Sequence, residues 1–221
     1  MKAGGLFETI RVRSGALPFL DRHLARLAAA CAATGRAAPP AGLADRIRAR
    51  ATGGDLVVRV TLDERGERIE PRPVPPEGPM RIVFSGTRHE PYPWKRTERA
   101  VFDRARSRVV PYRADETILL TEDGCLAEGC VTTVFFWLGL ELCTPSLDLG
   151  ILPGVGRARV IEVARSRGIA VREDRFKRAE SEGLPLFLVN AVRGVIETTA
   201  HGRVGHHGDD RTRRLAGAFW G

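Results

Sequence analysis

Lysine is rare in this chain, and one lysine stands out as a candidate for amine chemistry. The 221 residues include 35 Lys and Arg, of which only Lys2, Lys95 and Lys177 are lysines. A chain that carries its positive charge almost entirely as Arg has little use for Lys as a solubilising residue. A primary amine can lose its proton and attack a carbonyl, which a guanidinium cannot do. Lys95 is therefore a candidate nucleophile, and the alternative is a solvated loop lysine.

Three further features supply groups that would complement a nucleophilic amine. Glu128 interrupts a predicted strand that is otherwise apolar or Thr-rich, and Arg26 projects from a predicted helix. The run L-P-G-V-G-R at 152–157 offers bare backbone N–H groups at the start of a helix, which is a ready anion site. An amine, a carboxylate for a ring nitrogen and a phosphate-binding loop are the groups that pyridoxal phosphate requires. Each signal is weak alone, and their combined order favours this cofactor.

Composition and charge restrict the classes of protein. The sequence has 43% hydrophobic residues and no apolar run long enough to cross a membrane, and its first residues lack a signal-peptide pattern, so we expect a cytoplasmic protein without a membrane partner. The four cysteines form no C-x-x-C pair, so we expect small buried thiols and no metal site. The net charge of +8 comes from arginines interleaved with acids along the chain. This pattern suits a small anionic substrate at least as well as nucleic acid, which we do not expect as a partner.

The elements predict two domains, a small α+β domain over 1–78 and a larger α/β domain over 79–221. Residues 5–12 and 56–62 read as strands, Asp21 is a plausible N-cap for a helix over 22–34, and a second helix covers 42–51. The proline-rich run at 71–79 is the candidate linker. In the second domain we expect helices at roughly 97–109 and 157–167, a hairpin-like unit from 117 to 137, and a strand at 186–190.

The ordered motifs resemble those of the fold-type IV pyridoxal-phosphate enzymes, the class IV aminotransferase family. The resemblance runs from about residue 5 to residue 203 and includes the distance from Lys95 to Glu128. The motifs are F-E-T-I-R-V at 7–12, H-L-A-R-L at 23–27, K-R-T-E-R at 95–99, D-E-T-I-L-L-T-E-D-G-C-L-A-E-G at 115–129, C-T-P at 143–145, G-I-L-P-G-V-G-R at 150–157 and L-V-N-A-V-R-G at 188–194. It implies a two-domain α+β fold of this type, shortened at the N-terminus, and a homodimer.

The resemblance also implies a role for each matched position. Lys95 would carry pyridoxal 5'-phosphate covalently and move the substrate proton, and Glu128 would pair with the ring nitrogen. Arg26 would bind the phosphate. The other implied phosphate contacts are the backbone N–H groups of Val155 and Gly156, and Ala191.

Within the family, K-x-x-x-R and N-A-V-R-G look most like 4-amino-4-deoxychorismate lyase, which releases pyruvate and forms 4-aminobenzoate, a folate precursor. Arg11, Arg99 and Arg193 are candidates for holding substrate carboxylates, and ordinary ion pairs are an equal alternative for each. A class IV aminotransferase acting on branched-chain or D-amino acids is the alternative reaction, because few residues decide it. A non-catalytic basic binding protein on this scaffold is a third reading.

The chain departs from the family pattern at three places. Only M-K-A-G-G-L precedes F-E-T, where relatives carry about twenty further residues, roughly a strand pair and a turn. The Thr usually found after Val155 is Gly156, so a phosphate-binding hydroxyl is lost, and the usual Asn of the Glu128 block is Thr133.

Overall fold

The structure is a computed structural model that describes residues 4–200 and 209–221, so the end of the resemblance at 201–203 lies outside the described residues. The chain divides into two compact units. The first comprises Met1–Pro76 and Trp94–Glu98, and the second comprises Glu77–Pro93 and Arg99–Gly221. No helix among the described residues is long and apolar enough to cross a membrane.

The first unit is a three-stranded antiparallel sheet that packs against helices. Its elements are β1 (Leu6–Val12), α1 (Leu20–Ala33), α2 (Leu43–Arg50), β2 (Leu56–Asp63) and β3 (Gly66–Arg72), with the strand order β1-β2-β3. Leu6, Ile10 and Val12 alternate along β1 and bury against Leu27 and Cys31 of α1. The period of two along the strand therefore separates a face of β1 that packs on α1 from an opposite face.

The predicted boundary of the first helix needs a correction. Asp21 was expected to cap a helix over 22–34, but α1 begins at Leu20 with Phe19 as its N-cap and no side-chain cap. Asp21 lies in the first turn, where its negative charge still interacts favourably with the helix dipole. Gly35 follows the helix with φ of +66°, the left-handed conformation expected at C′.

The proline-rich linker begins later than its composition suggests. β3 continues through Pro71 and Arg72, and Pro71 pairs with Val58 of β2. Proline is tolerated there because β3 is an edge strand, whose outer side needs no ladder hydrogen bond. The change of unit comes between Pro76 and Glu77, close to the expected boundary at 78.

The segment that carries Lys95 packs with the first unit, whereas the sequence placed it in the second domain. Phe7 N–H donates to the Lys95 carbonyl at 2.9 Å, and Thr97 N–H donates to the Gly5 carbonyl at 2.7 Å. The segment thus lies along the free edge of β1. The Thr97 hydroxyl also accepts from Gly5 N–H at 2.8 Å. These bonds hold Thr97 beside β1, and the helix expected from 97 begins only at Ala100.

Within its described residues, the second unit contains an eight-stranded mixed sheet and three α-helices. Its elements are β4 (Met80–Arg88), α3 (Ala100–Val109), β5 (Glu116–Leu120), β6 (Leu126–Gly129), β7 (Thr133–Leu138), β8 (Glu141–Pro145), α4 (Val155–Ser166), β9 (Val171–Asp174), β10 (Leu186–Asn190), β11 (Gly194–Ala200) and α5 (Asp210–Ala218). The strand order is β6-β5-β4-β11-β10-β7-β8-β9. Large aromatic side chains fill its interior, including Phe136 stacked edge-on against Phe176.

The hairpin-like unit expected between 117 and 137 is broken after Gly129. β5 and β6 pair as expected, but β7 lies four strands away from β5, beside β10. Glu116 causes the break, because its buried carboxylate accepts from Cys130 N–H and Val131 N–H at 3.0 Å and from the Thr132 hydroxyl at 3.0 Å. The chain therefore turns out of β6 directly after the segment that contains Glu128.

The four cysteines Cys31, Cys125, Cys130 and Cys143 are all free and buried, as predicted.

Candidate active site

Glu128 lies on β6 and is buried, with its side chain only 7% exposed. His89 Nε2 is 3.0 Å from Glu128 Oε1, and Leu152 N–H points at both carboxylate oxygens at 3.3 Å. Glu128 is therefore not a solvent-facing charge of the kind that protects an edge strand from aggregation. Leu152 opens the predicted anion loop, which means that the second unit brings the loop and Glu128 together.

The start of α4 carries the backbone N–H groups predicted to bind an anion. α4 begins at Val155 with Gly154 as its N-cap and no side-chain cap. The N–H groups of the first turn have no acceptor within the helix, so Val155 and Gly156 present donors at this end. Arg157, in the same turn, is buried and donates to the Pro145 carbonyl at 2.8 Å.

Gly156 is glycine for a steric reason. A Cβ at Gly156 would lie 2.8 Å from the carbonyl carbon of Asn190 and 3.0 Å from the nitrogen of Ala191. Such separations are closer than real Cβ atoms approach, so the backbone at 190–191 excludes a threonine here. The same approach places Ala191 beside the start of α4. The structure therefore brings together Val155, Gly156 and Ala191.

The turn that contains Ala191 is held by the preceding asparagine. Asn190 Oδ1 accepts from Val192 N–H at 3.0 Å and from Arg193 N–H at 2.8 Å. This is the local hydrogen bonding by which Asn favours turns. The Arg193 guanidinium donates to the Gly78 carbonyl. Arg193, a candidate for a substrate carboxylate, thus already has a backbone partner.

Lys95 is half-buried in the first unit, with its ammonium nitrogen 4.6 Å from the centroid of the Phe7 ring. The Arg59 guanidinium carbon lies 3.8 Å from the same centroid. Phe7 points away from α1, because Glu8, its neighbour on β1, contacts α1 residues. Lys95 and Arg59 therefore share one face of the sheet. Arg59 had not been singled out from the sequence, although its place in an apolar strand was a usable signal.

Arg26 and the buried carboxylate of Glu8 form an ion pair. Arg26 Nε and Nη2 donate to Glu8 Oε1 and Oε2 at 2.8 and 2.5 Å, and His23 Nδ1 is 2.7 Å from Oε2. Burial alone would raise the pKa of Glu8, but Arg26 and His23 outweigh it and lower that pKa to about 2. Burial also lowers the pKa of His23, and Glu8 offsets only part of that shift. Glu8 is thus ionised, and His23 is neutral.

Arg11 also lies on the Phe7 face of β1, and its guanidinium is buried. Arg11 Nη2 donates to Asp55 at 2.6 Å. Its Nε and Nη1 are buried and have no hydrogen-bond partner within residues 4–200 and 209–221. Unpaired buried donors are rare and costly. This arginine therefore forms an ion pair with Asp55 and retains two further donors, and its role toward a substrate carboxylate stays a prediction.

Arg99 is the third residue predicted to bind a substrate carboxylate, and it is the first residue of the longer segment of the second unit, Arg99–Gly221. Its guanidinium donates to the Cys130 carbonyl, and its central carbon lies 4.8 Å from the Phe102 ring centroid. It thereby anchors the chain just after β6.

The predicted site residues thus fall in two sets. Lys95, Arg26 and Arg11 belong to the first unit, and Glu128, the loop at 152–157, Ala191, Arg99 and Arg193 belong to the second.

Comparison with known proteins places these residues in a family. The family model for amino-transferase class IV matches residues 5–200, which is most of the chain. The chain therefore belongs to the class IV aminotransferase family, whose enzymes use pyridoxal phosphate. This confirms the family, the fold type and the class of cofactor that the sequence motifs predicted.

Individual relatives agree with that placement. Aminodeoxychorismate lyase from Bacillus subtilis is 47% identical over 62 residues, which are 28% of this chain and 21% of that protein. The matched stretch thus spans only about a fifth of that curated relative. The fold IV-transaminase from Curtobacterium pusillum superposes with a TM-score of 0.83 at 25% identity, covering 98% of this chain and 86% of that one. An aminotransferase from Brucella abortus, bound to its cofactor PLP, has the same fold, with a TM-score of 0.82 at 22% identity over 99% of this chain and 88% of that one.

Proposed function

We propose that this chain is a pyridoxal-phosphate-dependent lyase that converts aminodeoxychorismate into 4-aminobenzoate and pyruvate. Lys95 would hold the cofactor, Glu128 would pair with its ring nitrogen, and Arg26 with the start of α4 and Ala191 would bind its phosphate. The unpartnered donors of Arg11 are the observation that carries the choice of an anionic substrate.

The residues present fit this cofactor. A buried carboxylate that already accepts hydrogen bonds, as Glu128 does, is poised to accept one from a protonated ring nitrogen. The start of α4 has no side-chain cap, so the N–H groups of Val155 and Gly156 can bind a phosphate.

Lys95 and Glu128 have complementary roles in the reaction. Bound pyridoxal phosphate would supply a sink for the electron pair left when a proton is removed. Lys95 would take that proton from the amino-bearing carbon of the substrate. Glu128 would keep the ring nitrogen protonated by staying ionised, and His89 and Leu152 N–H stabilise that form. Loss of the enolpyruvyl ether as pyruvate then leaves an aromatic ring.

The Phe7 face of the first unit suits a substrate with carboxylates. Arg11 and Arg59 both project from this face. The guanidinium of Arg59 and the ammonium group of Lys95 both lie over the Phe7 ring. Arg11 Nε and Nη1 each retain a buried donor for an anion, while Nη2 donates to Asp55. Aminodeoxychorismate carries two carboxylates, whereas a branched-chain amino acid carries one and an apolar side chain. The cationic face therefore favours the lyase substrate.

A class IV transaminase is the second candidate. The likeness to the fold IV-transaminase from Curtobacterium pusillum covers 98% of this chain and supports it. The cofactor residues would be the same, and Lys95 would return the proton to a different carbon, so that the amine passes to a keto acid. We favour the lyase because of Arg11 and the match to the Bacillus subtilis lyase.

The proposal is tested by product analysis. Purified protein with pyridoxal phosphate and aminodeoxychorismate should release pyruvate and 4-aminobenzoate in equal amounts. Arg11→Leu should raise KM by roughly tenfold or more, because it removes a charge-assisted pair of hydrogen bonds. Transfer of the amino group to 2-oxoglutarate without pyruvate would contradict the lyase and support the transaminase.

We further propose that the protein acts in the cytoplasm as a homodimer and that its product enters folate biosynthesis. The dimer follows from the resemblance to the family, and the folate assignment follows from 4-aminobenzoate being a folate precursor.

A further inference from the structure

We propose that His89 is the positioning residue that fixes the Glu128 carboxylate for the ring nitrogen of the cofactor. This inference rests on the proposed function and names a residue that neither the sequence motifs nor the family resemblance singled out. Both side chains lie within the second unit.

His89 is held rigidly at the end of β4. Its backbone N–H donates to the Leu120 carbonyl at 2.8 Å, directly after the pairing of Arg88 with Leu120. Its side chain is 2% exposed. The β4–β5 ladder thus sets the position of the imidazole, and β6 pairs with β5 on the other side. Three adjacent strands therefore fix the 3.0 Å contact between His89 Nε2 and Glu128 Oε1.

The contact with His89 restricts rotation of the Glu128 carboxylate, which keeps an oxygen oriented for a ring N–H. A free carboxylate can rotate about its last bond, so a single hydrogen bond to a ring N–H would cost the entropy of that rotor. With the proton on Nε2, His89 donates to Oε1, and Leu152 N–H contacts both oxygens from another direction at 3.3 Å. Two donors that converge on one buried carboxylate fix its plane and favour its ionised form.

The competing role for His89 is a purely structural one. A buried histidine bonded to a buried carboxylate also ties β4 to β6, and its removal would destabilise the sheet whatever the cofactor does. Loss of activity in a His89 variant therefore cannot separate the two roles. The distinguishing property is whether the effect of His89 depends on the nitrogen of the cofactor ring.

A binding experiment with two ligands makes this distinction. The apoprotein of wild type, His89→Leu and His89→Gln is titrated with pyridoxal phosphate and with its 1-deaza analogue, in which a C–H group replaces the ring nitrogen. His89→Leu should weaken binding of pyridoxal phosphate by roughly ten- to a hundredfold and the binding of the analogue by much less, because a hydrogen bond to a charged group is lost only in the first case. His89→Gln retains a donor and should recover part of the affinity.

His23→Gln is the matched control, since His23 is also a buried histidine bonded to a glutamate. Any effect of this variant should be the same for both ligands, because Glu8 and His23 support Arg26 and not the ring nitrogen. An equal loss for both ligands in His89→Leu would overturn the inference and leave a structural role.

A measurement on the wild type covers the case in which His89→Leu does not fold. The ¹⁵N chemical shifts of the His89 ring should change on binding pyridoxal phosphate and much less on binding the deaza analogue. Identical shifts with both ligands would overturn the inference. Failure of the wild type to bind pyridoxal phosphate at all would instead overturn the proposed function, so the two failures are distinguishable.

Discussion

Glu8 is the residue on which the geometry of Arg26 depends. Its two carboxylate oxygens receive both Arg26 donors and the His23 ring, and all of these contacts are buried or nearly so. A buried cation keeps its position only when paired, since removing one partner of such a pair costs about 3–5 kcal/mol. Glu8 is thus required for Arg26 to be presented in a fixed orientation.

The pH dependence of stability should report this cluster. The pKa of Glu8 is lowered from 4.5 to about 2, so its contribution is fully present above pH 4.5 and is lost as the pH falls toward 2. That contribution is on the order of 3 kcal/mol. The pKa of His23 is also lowered, so protonation favours the unfolded chain, and stability begins to fall below pH 6.5. Urea unfolding at fixed pH values from 7 to 3 should show both losses.

Glu8→Gln provides the comparison for that measurement. This variant should be less stable at pH 7, and the fall of its stability below pH 4.5 should be shallower than in wild type. A wild-type protein whose free energy of unfolding is constant from pH 7 to pH 3 would contradict the assignment of an ionised Glu8 beside a neutral His23.

The sequence reveals some of these residues and not others. Glu8 was not singled out from the sequence, although its alternation with Leu6 and Ile10 on the apolar face of β1 was a usable signal of a buried partner. Lys95 and Glu128 were singled out because their residue types are unusual in their surroundings, and their roles stay predictions. His89 carries no such signal, because its role depends on the distant pairing of β4 with β5. Arg11 was found by type alone, and its orphan donors emerge only in the structure.

At the scale of elements, the junction between α4 and the β10–β11 turn fixes the anion loop. Gly156 permits the approach, with a would-be Cβ 2.8 Å from the Asn190 carbonyl carbon. Asn190 in turn holds the turn through the N–H groups of Val192 and Arg193. The start of α4 and the β10–β11 turn are therefore packed tightly against each other.

Gly156→Ala tests this junction. The added methyl group must push apart two backbone segments, so we expect a loss of about 1–3 kcal/mol in the free energy of unfolding and weaker binding of pyridoxal phosphate. Gly217 in α5 is the matched control, because a Cβ there has no atom within 4 Å. Gly217→Ala should leave stability unchanged or raise it by up to about 1 kcal/mol. Equal effects of the two substitutions on stability would contradict the packed junction.

Local patterns predicted most elements but not their connections. The strands at 56–62 and 186–190 and the helix before Gly35 follow from periodicity and turn residues. The separation of β7 from β6 could not be predicted, because it depends on Glu116 accepting from a loop fourteen to sixteen residues away. The edge pairing of residues 94–98 with β1 was missed for the same reason, since it joins positions about ninety residues apart.

At the scale of the whole molecule, the assembly state is a prediction from family resemblance. Fold-type IV relatives imply a homodimer, so the molar mass in solution should be twice the 24.2 kDa of the chain. Light scattering after size-exclusion chromatography measures this directly, at moderate salt because the net charge of +8 promotes adsorption to the column. A stable monomer that retains cofactor and activity would contradict the dimer prediction.

The central claim is that Lys95 bonds covalently to pyridoxal phosphate. The absorbance spectrum of the purified protein with added cofactor, after removal of the excess, tests it most directly. Wild type and Lys177→Ala should show a near-visible band, because Lys177 pairs with Asp123 at the surface and has no part in the proposed site. Lys95→Ala should lack the band while remaining folded. A band that persists in Lys95→Ala but is absent from Lys177→Ala, or a wild-type protein that stays colourless, would contradict the account.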